Sequence, residues 1–157
     1  MQGITTFLWF DTEAEEAARF YTSLFADGTI TGIDHFGSAG PRPAGMVKTV
    51  TFELAGHHLM ALNGGPGHEF NESVSLMVHC DTQAEVDELW DRLTDGGKPG
   101  PCGWLQDRYG LSWQVVPQLL LELVADPDRV KAEAVMAAML SSGKLETATL
   151  QAAYDNA

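Results

Sequence analysis

Asp11-Thr12-Glu13-Ala14-Glu15 returns as Asp81-Thr82-Gln83-Ala84-Glu85, 70 residues further along the chain. Each copy follows an apolar run rich in strand-forming residues, Ile4 to Phe10 in the first case and Val74 to Cys80 in the second. Thr12 with Glu15, and Thr82 with Glu85, have the spacing of a capping box, in which hydroxyl and carboxylate satisfy otherwise orphaned amides at a helix start. Behind these caps, Ala17, Phe20, Tyr21, Leu24 and Phe25 share one helical face, as do Val86, Leu89, Trp90 and Leu93. Asp27-Gly28 and Asp95-Gly96-Gly97 then supply the glycine favoured at a helix terminus. A strand followed by a helix therefore occurs twice, and such a repeat decides the architecture before any single element does.

After the first helix the chain predicts strands over Thr29 to Phe36, Val47 to Ala55 and His57 to Leu62, the last two joined at Ala55-Gly56. The unit reads βαβββ. The second copy is compressed, with an extended segment from Pro99 to Leu105, a turn at Asp107-Arg108-Tyr109-Gly110, a strand from Leu111 to Val116, and a third strand short or irregular. The segments 37–45 and 64–71 are rich in Gly and Pro and read as loops. From Pro117 the chain turns helical: Leu119 to Val124, then Asp126-Pro127 as cap and first-turn proline for Asp128 to Leu140, Gly143 as stop, and Leu145 to Tyr154. The expected fold is α+β, one domain over 1–157. It holds two tandem βαβββ modules, 1–64 and 72–117, forming a curved mixed sheet, with C-terminal helices over 118–157.

The 157 residues are 45% hydrophobic and 20% charged, ordinary for a globular chain. Nine Lys and Arg against 22 Asp and Glu give a net charge of −13, and the cations are scattered. Such a field repels phosphate backbones and anionic lipid, so neither nucleic acid nor membrane is an expected partner. The opening MQGITTFLWFDTEAEE has no cationic segment and no cleavage site of a signal peptide, and no run approaches the length of a spanning helix. Cys80 and Cys102 are too few for a disulfide framework and are read as reduced, small apolar side chains. A cytoplasmic protein is expected.

A tandem βαβββ pair resembles the vicinal oxygen chelate superfamily, which includes glyoxalase I, bleomycin-binding proteins, fosfomycin resistance enzymes and extradiol dioxygenases. Four stretches are similar to its PhnB-like branch, often labelled 3-demethylubiquinone-9 3-methyltransferase-like. They are LWFDTEAEEAARFYTSLF (8–25), LMALNGGPGHEFNESVSLMVHCDTQAEVDELWDRLTDGG (59–97), CGWLQDRYGLSWQVVP (102–117) and DPDRVKAEAVMAAML (126–140), so the resemblance runs into the helical tail. The methyltransferase label finds no support in the residues. Methyl transfer from S-adenosylmethionine commonly uses a glycine-rich turn after the first strand of a parallel α/β sheet, whereas here that turn is Phe10-Asp11-Thr12.

Metal-dependent members of the superfamily hold a divalent cation with His or Glu from the first strand of each module and a carboxylate from a late strand of each. The resemblance maps those positions, within one residue, to Ile4 or Thr6, Ala61 or Asn63, Ser75, and Gln114. None is a His, Asp, Glu or Cys, so no metal or other cofactor is expected unless the strand register is misassigned. Among the five histidines, His79 is the one candidate catalytic group, because strand alternation puts it beside Ser73, Ser75 and Met77. His57 and His58 flank a turn and point to opposite faces; His35 and His68 lie in or beside loops. Cys80 next to His79 faces away from it for the same reason.

The expected ligand site is a largely apolar cup with a few hydrogen-bonding groups: Thr6, Leu8, Phe10, Asn63, Ser75, Met77, His79, Trp104 and Gln114. Phe7, Trp9, Phe52 and Trp90 are expected in the core, with Trp113 joining them. The function expected is the binding of a small molecule in the manner of bleomycin-binding relatives. The alternative is a lyase, isomerase or transferase that uses a metal or His79 as a general base with Gln114 and Asn63 as polarising donors. The superfamily's habit of pairing about a two-fold axis implies a homodimer, with the tail helices packing on their own chain or clasping the partner.

Overall fold

The computed structural model describes residues 3–157; Met1 and Gln2, which open the first module as read from the sequence, lie outside the described residues. The chain forms two compact units, one up to Glu69 and one from Phe70 onward.

In the first unit, strand β1 (Thr6–Phe10), helix α1 (Ala14–Thr22) and strands β2 (Thr29–His35), β3 (Val47–Leu54) and β4 (His57–Asn63) give the expected βαβββ order. The sheet runs β1-β4-β3-β2, with β1 parallel to β4 and the other pairs antiparallel. The β3–β4 hairpin turns through Ala55 and Gly56, both at positive φ. Helix α1 buries Ala14, Ala17, Ala18 and Tyr21, and the Tyr21 ring lies 6.3 Å from that of Phe52. Its start departs from the sequence expectation. Glu13, not Thr12, is the N-cap residue, and no side chain of the cap closes a box. The first helical amide, Ala14 N, donates instead to Asn63 Oδ1 at 2.8 Å. The helix also stops at Thr22, so Leu24, Phe25 and Asp27-Gly28 belong to the turn that follows.

The second unit repeats the order with shorter strands: β5 (Ser75–Cys80), α2 (Gln83–Thr94), β6 (Lys98–Pro99), β7 (Trp104–Gln106) and β8 (Ser112–Pro117). Its sheet order, β5-β8-β7-β6, is that of the first. Here the capping box is complete, with Glu85 N donating to Thr82 Oγ1 and Glu85 Oε2 accepting from Thr82 N. The two short strands account for the compressed copy. Val86, Leu89, Trp90 and Leu93 are buried on α2, and Leu105, Trp113 and Val115 on the sheet.

Three further helices, α3 (Gln118–Val124), α4 (Arg129–Leu140) and α5 (Thr147–Asp155), pack within this unit around Val116, Leu120, Leu123, Val135, Leu145 and Leu150. Asp128, rather than Asp126, caps α4, its Oδ1 accepting from Val130 N. Asp126 accepts from Asp128 N and from the Tyr154 hydroxyl, tying the turn to α5. No helix among the described residues is long and apolar enough to cross a membrane.

Candidate functional site

Strand alternation gives each sheet two faces, and the helices decide which is covered. In the first unit the rungs Leu8–Ala61 and Phe10–Asn63 are buried on the side that α1 covers: Leu8 and Phe10 are each 4% exposed and Asn63 is 2%. Thr6 pairs with Leu59 on that same side, and its hydroxyl meets His57 Nε2 at 2.9 Å. These four residues, expected to line a cup, are therefore the helix-side core and its edge. The opposite face carries the rungs Phe7–Met60 and Trp9–Leu62. Phe7, expected in the core, is 54% exposed. Trp9 donates from Nε1 to Gly65 O at 2.8 Å and meets the His68 ring edge-on at 4.7 Å.

The second unit keeps the expected register. Ser75, Met77 and His79 alternate on the face away from α2, opposite Ser112, Gln114 and Val116 on β8. Trp104 pairs with Gln114, and Gln106 with Ser112. Five of the expected site residues, Ser75, Met77, His79, Trp104 and Gln114, thus share one sheet face. Gln114 Nε2 donates to Ser75 Oγ at 2.9 Å, and Gln106 Nε2 donates to Glu72 Oε1 at 2.9 Å. Ser112 is fully buried, and its hydroxyl has no partner. Cys80 faces the covered side, where burial pushes its thiol up to about 11, so it is no nucleophile at neutral pH. Trp113 is buried there too, donating to Asp107 Oδ2 at 2.9 Å.

The repeat itself carried the register that alternation in β1 alone did not. Subtracting 70 from 75, 77 and 79 gives Thr5, Phe7 and Trp9, the row that the first sheet presents away from its helix. A separate open groove of about 370 Å³ lies between the end of α1 and β2, lined by Arg19, Thr22, Ser23, Gly28, Thr29 and Ile30. Arg19 is paired with Glu15 at 2.6 Å, and the groove offers no reactive group.

The model of the 3-demethylubiquinone-9 3-methyltransferase family matches residues 2–116. The chain belongs to that family. Among solved structures, the PhnB protein of Bacillus cereus is 38% identical, with a TM-score of 0.66, over 74% of this chain and 99% of that one. Protein PA1353 of Pseudomonas aeruginosa shares the fold at 23% identity and a TM-score of 0.62, over 74% of this chain and 98% of that one. A glyoxylase/bleomycin resistance protein/dioxygenase domain from Frankia is 16% identical, with a TM-score of 0.46, over 74% of this chain and 92% of that one. No curated protein matches. The family match stops at residue 116, so the tail helices, including the stretch 126–140, lie beyond it.

The βαβββ pair is the order expected from the sequence, and the positions at which the superfamily resemblance places a divalent metal can be read from the strand register. The residues here do not fit one. Moving the first-module register by one exchanges Thr6, Ala61 and Asn63 for Phe7, Met60 and Leu62, which are no better as ligands, and the second module offers Ser75 and Gln114. Among the described residues no three His, Cys, Asp or Glu side chains come together as a metal-holding group.

Proposed function

We propose that the chain binds a small organic molecule against the face of its second sheet that α2 leaves uncovered, as a homodimer and without a metal. The observation that carries this reading is the composition of that face. Met77 and Trp104 offer apolar contact, while Ser75 and Gln114 offer hydrogen bonds where the superfamily's metal ligands would stand. Methyl transfer is disfavoured despite the family's name. Each unit is a mostly antiparallel βαβββ sheet, and the turn after β1 has no glycine to admit a nucleotide.

A thermal-shift screen with aromatic metabolites and antibiotics, read beside native mass spectra, tests the proposal. A binder raises the melting temperature in proportion to its occupancy, and the spectrum shows two chains with no metal mass. A screen without stabilisation, or a spectrum with one metal per chain and a lyase activity lost to a chelator, overturns it. One observation favours a catalytic variant: His79 is exposed on the same face as Ser75. A His79→Ala protein with unchanged turnover on any substrate found would remove that variant.

A further inference from the structure

We infer that the face of the second sheet left uncovered by α2 takes a flat, aromatic carboxylate, an inference that rests on the binding reading above and names its ligand class. Of the nine Lys and Arg side chains, seven form ion pairs with carboxylates and Lys131 lies over the Tyr154 ring. Lys98 has no partner among the described residues, although the chain carries 22 Asp and Glu. It is exposed on the edge strand β6 and pairs with Gln106 of β7, so it stands on the same face as Ser75, Met77 and Gln114. A cation left unpaired in so negative a chain is open to an incoming anion.

The neighbours of Lys98 define the rest of the ligand. Trp104 is its diagonal neighbour across β6 and β7, about 7–8 Å away and within reach of a long side chain. The indole is half-buried and offers a flat apolar surface. One strand further, Gln114 stands opposite Trp104 and donates to Ser75 Oγ at 2.9 Å, which leaves its amide oxygen and second amide hydrogen for a polar substituent. Strands β6 and β8 are two strand spacings apart, about 10 Å, a gap that one ring with its carboxylate closes from the end of the lysine stem. Glu72 also reaches this row, but Gln106 Nε2 donates to it at 2.9 Å, which sets a neutral amide between that carboxylate and Lys98. At the other end of the face, His79 pairs with Val116, which packs among the tail helices, so the open part is the β6–β7 side.

Benzoate and benzamide are flat, nearly identical in shape, and differ by a carboxylate against a neutral amide. Each is titrated at about pH 7.5 and low ionic strength into the whole chain, with amide NMR signals as the readout. Benzoate is expected to shift the Lys98, Trp104 and Gln106 signals and to bind about fivefold more tightly than benzamide, the scale of one exposed ion pair. Lys98→Gln should abolish that preference and Lys98→Arg should keep it, each variant being checked for an unchanged fold by its spectrum. Added salt should shrink the preference in the parent chain. Equal or tighter binding of benzamide, shifts confined to residues away from β6 and β7, or a preference undiminished in Lys98→Gln overturns the inference. If the thermal-shift screen yields ligands while benzoate fails, the ligand class falls and small-molecule binding stands. If neither screen nor probe binds, both readings fall together.

Discussion

Asn63 Oδ1 accepts a hydrogen bond from the Ala14 amide at 2.8 Å, so the last residue of β4 caps the helix that follows β1. The same side chain donates from Nδ2 to Val47 O at 3.0 Å, joining β4, β3 and α1 through one buried amide. This is where the first copy of the repeat departs from the second. Thr82 and Glu85 close their box locally, whereas the helix-start amide of α1 is served from 49 residues away in sequence. Asn63→Ala should cost about 2–4 kcal/mol, because it orphans a buried helix-start amide and a half-buried carbonyl together. Urea unfolding of the variant checks this, and a loss under about 1 kcal/mol would show that water replaces the amide at no net cost.

How far the sequence could be read follows from the same residue. Strand and helix order, the tight hairpin at Ala55-Gly56 and the three tail helices were legible, because caps, turns and apolar runs are local signals. The face of β1 was not. TFLWF is apolar on both sides, so alternation alone cannot tell Leu8 and Phe10, buried under α1, from Phe7 and Trp9 on the other face. In β5 the polar Ser75 and His79 fall on one side and the apolar Leu76, Val78 and Cys80 on the other, and there Ser75, Met77 and His79 share a face as expected. Asn63 looked like a ligand group because a buried amide and a pocket amide read alike until their partners are known.

Asp107 organises the β7–β8 turn from within the core. At 3% exposure its carboxylate accepts from Tyr109 N at 2.8 Å, Leu111 N at 3.1 Å and Trp113 Nε1 at 2.9 Å. Asp107→Ala removes the acceptor for all three and should cost about 3 kcal/mol, with the Trp113 indole left unsatisfied. Asp107→Asn keeps one acceptor oxygen and should cost clearly less. Thermal melting of the pair checks the order, and equal losses would mean that the carboxylate's two oxygens are not used separately.

Gly64 is where backbone and Trp9 come into contact. A Cβ at this position would stand 2.2 Å from Trp9 Cζ2, too close for any side chain. Gly64→Ala should therefore push the indole off its bond to Gly65 O and cost about 1–3 kcal/mol of strain. Tryptophan fluorescence of the folded variant should shift as that ring moves. An unchanged spectrum and melting temperature would place the flexibility in the 64–69 loop instead of the ring.

The docking of α5 should weaken at both ends of the pH scale. Lys144 Nζ meets Asp87 Oδ1 at 2.5 Å and Glu146 Oε1 at 3.2 Å, while Gln83 bonds to Asp87, to Leu145 O and to Thr147 N. The hydrogen bond from Lys144, then that from Gln83, holds the Asp87 carboxyl below its ordinary 3.8. The Asp87 bond, reinforced by Glu146, holds the Lys144 ammonium above its ordinary 10.5. A lowered carboxyl contributes stability that is complete above its unfolded value and is lost as pH falls through its folded one. A raised amine contributes stability that is complete below its unfolded value and is lost as pH rises through its folded one. Asp126, lowered by the Asp128 amide and then by the Tyr154 hydroxyl, adds to the acid side at the far end of α5. The α5 amide signals should thus titrate below pH 3.8 and above pH 10.5 and stay flat between. Asp87→Asn should shrink both limbs, since each partner's shift depends on the other. These groups are half-buried and still reached by water, so the effect is local and is read by residue-specific NMR rather than by global melting. An α5 that shows no titration at either end would mean that the apolar cluster around Leu145 and Leu150 holds the helix alone.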